Sequence, residues 1–326
     1  MKILKFVITI VSTISVVIAQ NSCTSSDTQT HQSSNEIIVE NDNKVTEEEF
    51  IFECNYFGEK LPDTVPKLFA PHIFKYTDYH SCLSFSANGK QVFFSRLKTS
   101  GEYVGVQTMK YKNGKWTESE FIQGTEKSFS PFISTDGERL FIAKENSLFV
   151  LYRENETWSN PQKLPDFINF QKRQDGLYEA ASRSVYFTTM FGKTDGIFYS
   201  EFVNGEYQKP IKIKTGFDTN AGGYSYISPD ESYMIFQSRA RGGYGASDLY
   251  IMFNKNGSWT KAINMGSKIN TRYSESFPYV TPDGKYLFFN SNRPSELNSK
   301  VPEHFYGNFY WVSTEIFKQF ETTLNP

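Results

Sequence analysis

From residue 83 onward the chain repeats one pattern of apolar and polar positions. A short apolar stretch meets a polar turn, and a second, more apolar stretch follows. The five copies are LSFSANGKQVFFS (83–95), PFISTDGERLFIA (131–143), YEAASRSVYFTT (178–189), YSYISPDESYMIFQS (224–238) and PYVTPDGKYLFFNS (278–291). Asn88, Asp136, Arg183, Asp230 and Asp283 mark the turns and recur every 47 to 53 residues. Asn88-Gly89, Asp136-Gly137 and Asp283-Gly284 have hairpin chemistry, because Asx and Gly tolerate positive φ. A third apolar strand is predicted at 104–111, 147–153, 196–202, 248–253 and 308–313. A fourth element opens on Trp116, Trp158, Tyr207 or Trp259. Four short strands per unit at this period is the spacing of propeller blades. One blade cannot bury both of its faces, so the units must pack radially. The pattern therefore predicts an all-β chain folded as a single β-propeller of five four-stranded blades, with six as the alternative.

The fifth unit has no fourth strand after it. Residues 63–69 (DTVPKLF) align with 158–164 (WSNPQKL), and Phe69 precedes Asn88 by the 19 residues that separate Leu164 from Arg183. This predicts that an N-terminal outer strand completes the last blade, closing the ring and removing a sheet edge.

Composition explains how such blades would pack. Aromatic residues reach 17%, with 30 Phe and 20 Tyr, and bulky rings fill the wedge between neighbouring blades. At 326 residues the chain can bury a core without disulfide or metal staples. Lys and Arg number 34 against 36 Asp and Glu, so no basic field points to nucleic acid, and none is expected as a partner.

The N-terminus reads as an export signal over residues 1–22. Lys2 and Lys5 precede an apolar run at 6–19 that is short for a membrane span. Two cleavage readings stand. Val17-Ile18-Ala19 before Gln20 suits an ordinary signal peptidase and would give a secreted soluble protein. Alternatively, Cys23 becomes the lipidated first residue. Residues 23–49 are mostly Ser, Thr, Asn, Asp, Gln and Glu. Such a segment buries too little apolar surface to fold and reads as a tether, which favours lipidation at Cys23. The propeller is then expected over 50–320, with 321–326 as a tail. Cys54 and Cys82 read as buried thiols. No C-x-x-C occurs, which gives zinc-ribbon and thioredoxin-like chemistry no support.

The turns Ser228-Pro229-Asp230 and Thr281-Pro282-Asp283-Gly284-Lys285 resemble the PD40, or WD40-like, repeat of TolB-like propellers. The segment from Gly242 to Tyr250, then Ile269-Asn270, Glu275-Ser276 and Asn290-Ser291-Asn292-Arg293, resembles the form common in exported proteins of Bacteroidetes-type bacteria. The resemblance covers residues 58–315 and implies a propeller, not an activity, since the repeat serves many roles.

Catalytic signatures are sparse. His31, His72, His80 and His304 lack the H-E-x-x-H spacing, and there is no G-x-S-x-G. Ser95-Arg96-Leu97-Lys98 matches S-x-x-K on a strand, where that nucleophile needs a helix. An enzyme would have to use carboxylates in the loops leading into the inner strands, where His80, Glu126, Glu179, Tyr224 and Glu275 are placed by the repeat. A pair of these about 5–10 Å apart would suit a glycosidase. A second cluster comprises Arg96, Arg239, Arg241 and Arg293 after second strands, with Asp248 opening a third. Arginine forks suit carboxylates on a ligand or within the protein.

The sequence thus supports a tethered, non-catalytic binding module of the cell envelope, periplasmic or on the outer membrane. Its expected partner is an envelope protein or a small ligand or glycan, with Arg239, Arg241, Tyr244, Asp248, Asn270, Glu275 and Arg293 as binding residues. No catalytic residue, metal or cofactor is expected, and membrane contact is expected through the lipid alone. The alternative is a carbohydrate-active enzyme at the propeller channel.

Overall fold

The computed structural model describes residues 54–74, 79–98, 100–190, 195–217, 223–294 and 307–324. The expected export signal, Cys23 and the expected tether lie outside these residues. The repeat becomes five antiparallel sheets in a ring, a five-bladed β-propeller. In blade one, Tyr79–Phe85, Gln91–Leu97 and Tyr103–Lys112 pair in order, and Glu120–Phe121 completes the outer edge. The inner strands of the other blades are Phe129–Ile133, Gln174–Glu179, Ser225–Ile227 and Glu275–Val280. The third strands fall at Ser147–Glu154, Gly196–Ser200, Asp248–Lys255 and Asn308–Ser313, close to the predicted positions.

The aromatic residue that opens the fourth element sits on a hairpin tip, and the outer strand follows it. Lys115–Trp116 folds back on the end of the third strand, and Glu120–Phe121 then pairs deeper on that strand. Asn113-Gly114, with φ of 51° and 77°, makes this tip, as expected for a two-residue turn matching strand twist.

Residues 63–69 close the ring as the spacing predicts. Lys67–Leu68 pairs with Asn308–Ser313, opposing Trp311 and Tyr310. Hydrogen bonds continue from Ser313 N to Asp63 O (2.9 Å) and from Phe69 N to Phe309 O (2.9 Å). Burial reinforces the seam. The Phe69 ring lies 4.8 Å from Phe288 and 5.1 Å from Trp311. Upstream, Phe57 stacks on Trp116 at 4.3 Å, and the Trp116 indole donates to Asn55 Oδ1 (2.6 Å). The predicted tail differs: Lys318–Leu324 is helical, because Ile316, Phe317 and Phe320 are buried and hold it to the ring. Cys54 and Cys82 are free thiols, and burial pushes each up to about 12.

The blade-three turn is offset by one residue from the sequence alignment. Arg183 has φ of 67°, the left-handed conformation of Gly89, Gly137 and Gly284. Ser182, not Arg183, therefore matches the Asx marker, and its Oγ accepts from Ser184 N as Asp136 Oδ1 accepts from Glu138 N.

With that register, Ser84, Phe132, Tyr178, Tyr226 and Tyr279 are equivalent on the inner strands. Phe132 and Tyr178 rings are 4.9 Å apart, Tyr178 and Tyr226 5.5 Å, and Tyr226 and Tyr279 5.8 Å. Tyr178 Oη donates to Pro278 O across two blades (3.3 Å). Tyr279 Oη accepts from Phe85 N (2.9 Å) and donates to Phe85 O (3.2 Å). The axis is filled by side chains at this level, and burial holds the Tyr178 and Tyr226 hydroxyls well above the usual phenol range.

Candidate functional site

The ring has two ends. One carries the turns between inner and second strands. The other carries the loops leading into inner strands and the loops between second and third strands. The carboxylates proposed from sequence do not share an end. Glu179 is the last residue of its inner strand, opposing Val185 beside the turn. Glu275 is the first residue of its inner strand, opposing Ser291. The spacing to the turn explains the misplacement: Glu179 lies only four residues before Arg183, whereas Glu275 lies eight before Asp283. A glycosidase pair made of Glu179 and Glu275 is excluded, since they lie at opposite ends of equivalent strands.

Glu179 is engaged within the protein. Its Oε1 and Oε2 accept from Arg139 Nε (3.2 Å) and Nη2 (2.8 Å), and Arg139 Nη1 reaches Asp136 Oδ2 (2.8 Å). Burial raises the Glu179 pKa even so. The same end holds an open cleft of about 320 Å³ between blades one and two, lined in part by Lys110, Asp136, Arg153 and Glu156.

At the loop end the remaining candidates scatter. Glu126 is exposed, 3.9 Å from Lys144. The His80 ring sits between Phe74 (5.5 Å) and Phe94 (5.3 Å). Tyr224 is buried against Phe277 at 3.7 Å between centroids. Arg96 is half-buried on its strand.

Asp248, Asn270, Glu275 and Arg293 form the frame of blades four and five. Asp248 Oδ2 accepts from Tyr244 N (2.7 Å) and Asn264 Nδ2 (2.7 Å), and its Oδ1 from Gly245 N (3.0 Å). Asn270 brackets Leu249, accepting from its N (2.8 Å) and donating to its O (2.9 Å). Glu275 accepts from Thr271 N (3.0 Å), Thr271 Oγ1 (2.7 Å) and Ser291 Oγ (2.8 Å). Arg293 adds a bond to Glu275 Oε1 (3.3 Å), donates to Ile269 O (2.6 Å), and lies 4.7 Å over the Tyr310 ring. Burial raises the Glu275 pKa. All four side chains spend their polar atoms inside the protein.

Arg239, Arg241 and Tyr244 differ. All three are exposed on the hairpin that Asp248 holds, and Tyr244 is 52% accessible. Arg272, which belongs to no recognisable motif, is exposed on the adjoining loop; its Nη2 donates to Tyr273 Oη (2.8 Å).

Asp175 is the second residue missed by sequence. It occupies the inner-strand bulge of blade three, buried, with Oδ1 bonded to Arg173 Nε and Oδ2 without a hydrogen-bond partner. Alignment on Ser182 would have placed Asp175 opposite Ser276. Among the described residues no group of three or more His, Cys, Asp and Glu could hold a metal, and no helix is long and apolar enough to cross a membrane.

The fold and its loop end define a five-bladed β-propeller with a filled axis. No protein-family model matches the chain, and no curated protein sequence matches it. Among solved structures it is similar to a putative TolB from Agrobacterium tumefaciens, at 14% identity and a TM-score of 0.46, covering 66% of this chain and 70% of that one. TolB from Acinetobacter baumannii is similar at 14% identity and a TM-score of 0.43, covering 73% of this chain and 55% of that one. A gluconolactonase from Xanthomonas campestris is similar at 10% identity and a TM-score of 0.47, covering 78% of this chain and 96% of that one.

Proposed function

We propose that this chain is an exported, lipid-anchored propeller of PD40-type repeats that binds a partner at its loop end without catalysing a reaction. One observation carries the reading. Asp248, Asn270 and Glu275 are bonded internally, while Arg239, Arg241 and Tyr244 stand exposed on a hairpin fixed from beneath by Asp248. Rigid strands that hold an exposed loop make a recognition surface.

The proposed anchor is the lipidated Cys23. Several acyl chains on Cys23 would supply the stable anchoring that one chain does not.

Cross-linked capture from the native membrane tests the binding reading. Wild-type protein is expected to retain a partner that Arg241→Ala with Tyr244→Ala loses; equal capture would place binding elsewhere, and no capture by either would overturn it. Mass spectrometry of the mature N-terminus, with Cys23→Ser as control, tests the anchor. An unmodified chain beginning at Gln20 would refute it.

The glycosidase reading keeps one observation in its favour, the unpartnered Oδ2 of buried Asp175. Cleavage of a glycan by wild type, abolished in Asp175→Asn or Glu275→Gln, would establish it.

A further inference from the structure

Three exposed guanidinium groups gather where blades four and five meet. Arg239 and Arg241 rise from the hairpin between second and third strands, with no ion pair among the described residues. Arg272 sits on the loop leading into blade five, its guanidinium 5.0 Å above the Tyr273 ring. The two loops are locked together. Ala246 N donates to Tyr273 O (3.0 Å), Ser247 bridges to Ser274, and a Cβ on Gly245 would overlap the carbonyl oxygens of Thr271 and Tyr273.

Among the described residues, the charges on these two loops are all positive. The hairpin 239–247 and the loop 265–274 contain no Asp or Glu, and Lys268 adds a fourth exposed cation. The acids that directly follow these two segments in the chain, Asp248 and Glu275, are buried and bonded inward. An anionic ligand is therefore the complement.

Its shape follows from the other groups. The backbone N–H groups of Tyr244, Gly245 and Ala246 are taken by Asp248 and by Tyr273 O. An extended peptide that docks through its main chain finds none of these three donors free. What remains is a set of guanidinium forks, which match carboxylates two bonds at a time, beside the exposed Tyr244 ring. A flat ring next to a fork suits a sugar whose C–H face packs on the ring while its carboxylate meets the fork.

We propose that this patch binds a carboxylate-bearing glycan, a polymer of uronic acids, through Arg239, Arg241, Arg272 and Tyr244. The proposal rests on the reading of the propeller as a non-catalytic binder and names the ligand class for that surface.

Titration calorimetry of the full chain with polygalacturonate, dextran, polyglutamate and anionic phosphatidylglycerol vesicles tests it. Polygalacturonate is expected to bind, more weakly as salt rises, and uncharged dextran is not. R239Q/R241Q/R272Q should weaken binding about tenfold, the sum of three exposed ion pairs of ordinary strength. Tyr244→Ala should weaken it further, and Tyr244→Phe should preserve it, since stacking needs the ring and not the hydroxyl. Equal affinity for polyglutamate would overturn the sugar, and tighter binding to vesicles would replace it with a lipid surface. An unchanged triple variant would overturn the location. If polygalacturonate fails while membrane capture still depends on Arg241 and Tyr244, the glycan is wrong and the binding reading survives.

Discussion

The Arg139 guanidinium and the Glu179 carboxylate meet in a two-pronged contact between blades two and three, with Nη2 2.8 Å from Oε2. Their side chains are 10% and 3% exposed, so each charge relies on the other. This pair gives Glu179 a structural task at the turn end, away from every exposed arginine of the hairpin.

Removing one member of a buried pair leaves the other uncompensated. Glu179→Ala is expected to cost about 3 kcal/mol, reduced by whatever Asp136 still offers Arg139. Urea unfolding checks this. Capture of the membrane partner by the folded variant should match wild type; a lost capture at unchanged stability would give Glu179 a role in binding.

Ring closure depends on a short strand whose burial exceeds its hydrogen bonding. Phe69 is almost fully buried between Phe288 and Trp311. Phe69→Ala should cost about 3–5 kcal/mol. Deleting residues 58–70 should abolish the single cooperative transition, because blade five would lose its outer strand. A truncated chain that melts like the parent would show that the seam is dispensable.

Asp175 makes stability depend on pH in a direction opposite to most carboxylates. Burial raises its pKa in the folded state, with Arg173 opposing, from an ordinary value of about 3.9 in the unfolded chain. The folded state thus holds this proton more tightly. The resulting stability is full below the ordinary value and is lost as pH rises through the raised one. Asp175→Asn removes the dependence, so its gain over wild type should grow from about pH 4, the ordinary carboxylate value, to pH 8. At the upper end it should reach about 1–3 kcal/mol, the cost of a buried polar atom without a partner. Thermal melts at both pH values decide it. A variant less stable than wild type at pH 8 would mean that the Arg173 pair outweighs the burial.

Gly245 is needed for close approach. Any side chain there meets the backbone of Thr271 and Tyr273, which cannot swing aside. Gly245→Ala should cost about 1–3 kcal/mol as overpacking and should separate the hairpin from Arg272. Weakened glycan binding with all three arginines intact is the expected readout in calorimetry. Unchanged binding would show that the two loops act independently.

The strands, their order and the closing segment are determined by the sequence alone, because each rests on local information. Alternating apolar positions fix which residues can sit in a sheet, and Asn88-Gly89 or Asp283-Gly284 fix where it reverses. A copy of the outer-strand pattern at 63–69 is enough to place it on the last blade. The candidate site is less legible. Arg183 in a left-handed turn is invisible to a motif that looks for Gly, and Glu179, four residues before it, belongs to the turn end rather than to the loop leading into the strand. Only the tertiary structure decided which polar groups are free. Asp248 and Glu275 look like ligand carboxylates along the chain, yet backbone and side-chain donors from neighbouring loops consume them. Arg272 carries no motif and matters through the loop packed beside it. These outcomes depend on register, bulges and contacts between loops brought together by the ring, which no local pattern of hydrophobicity encodes.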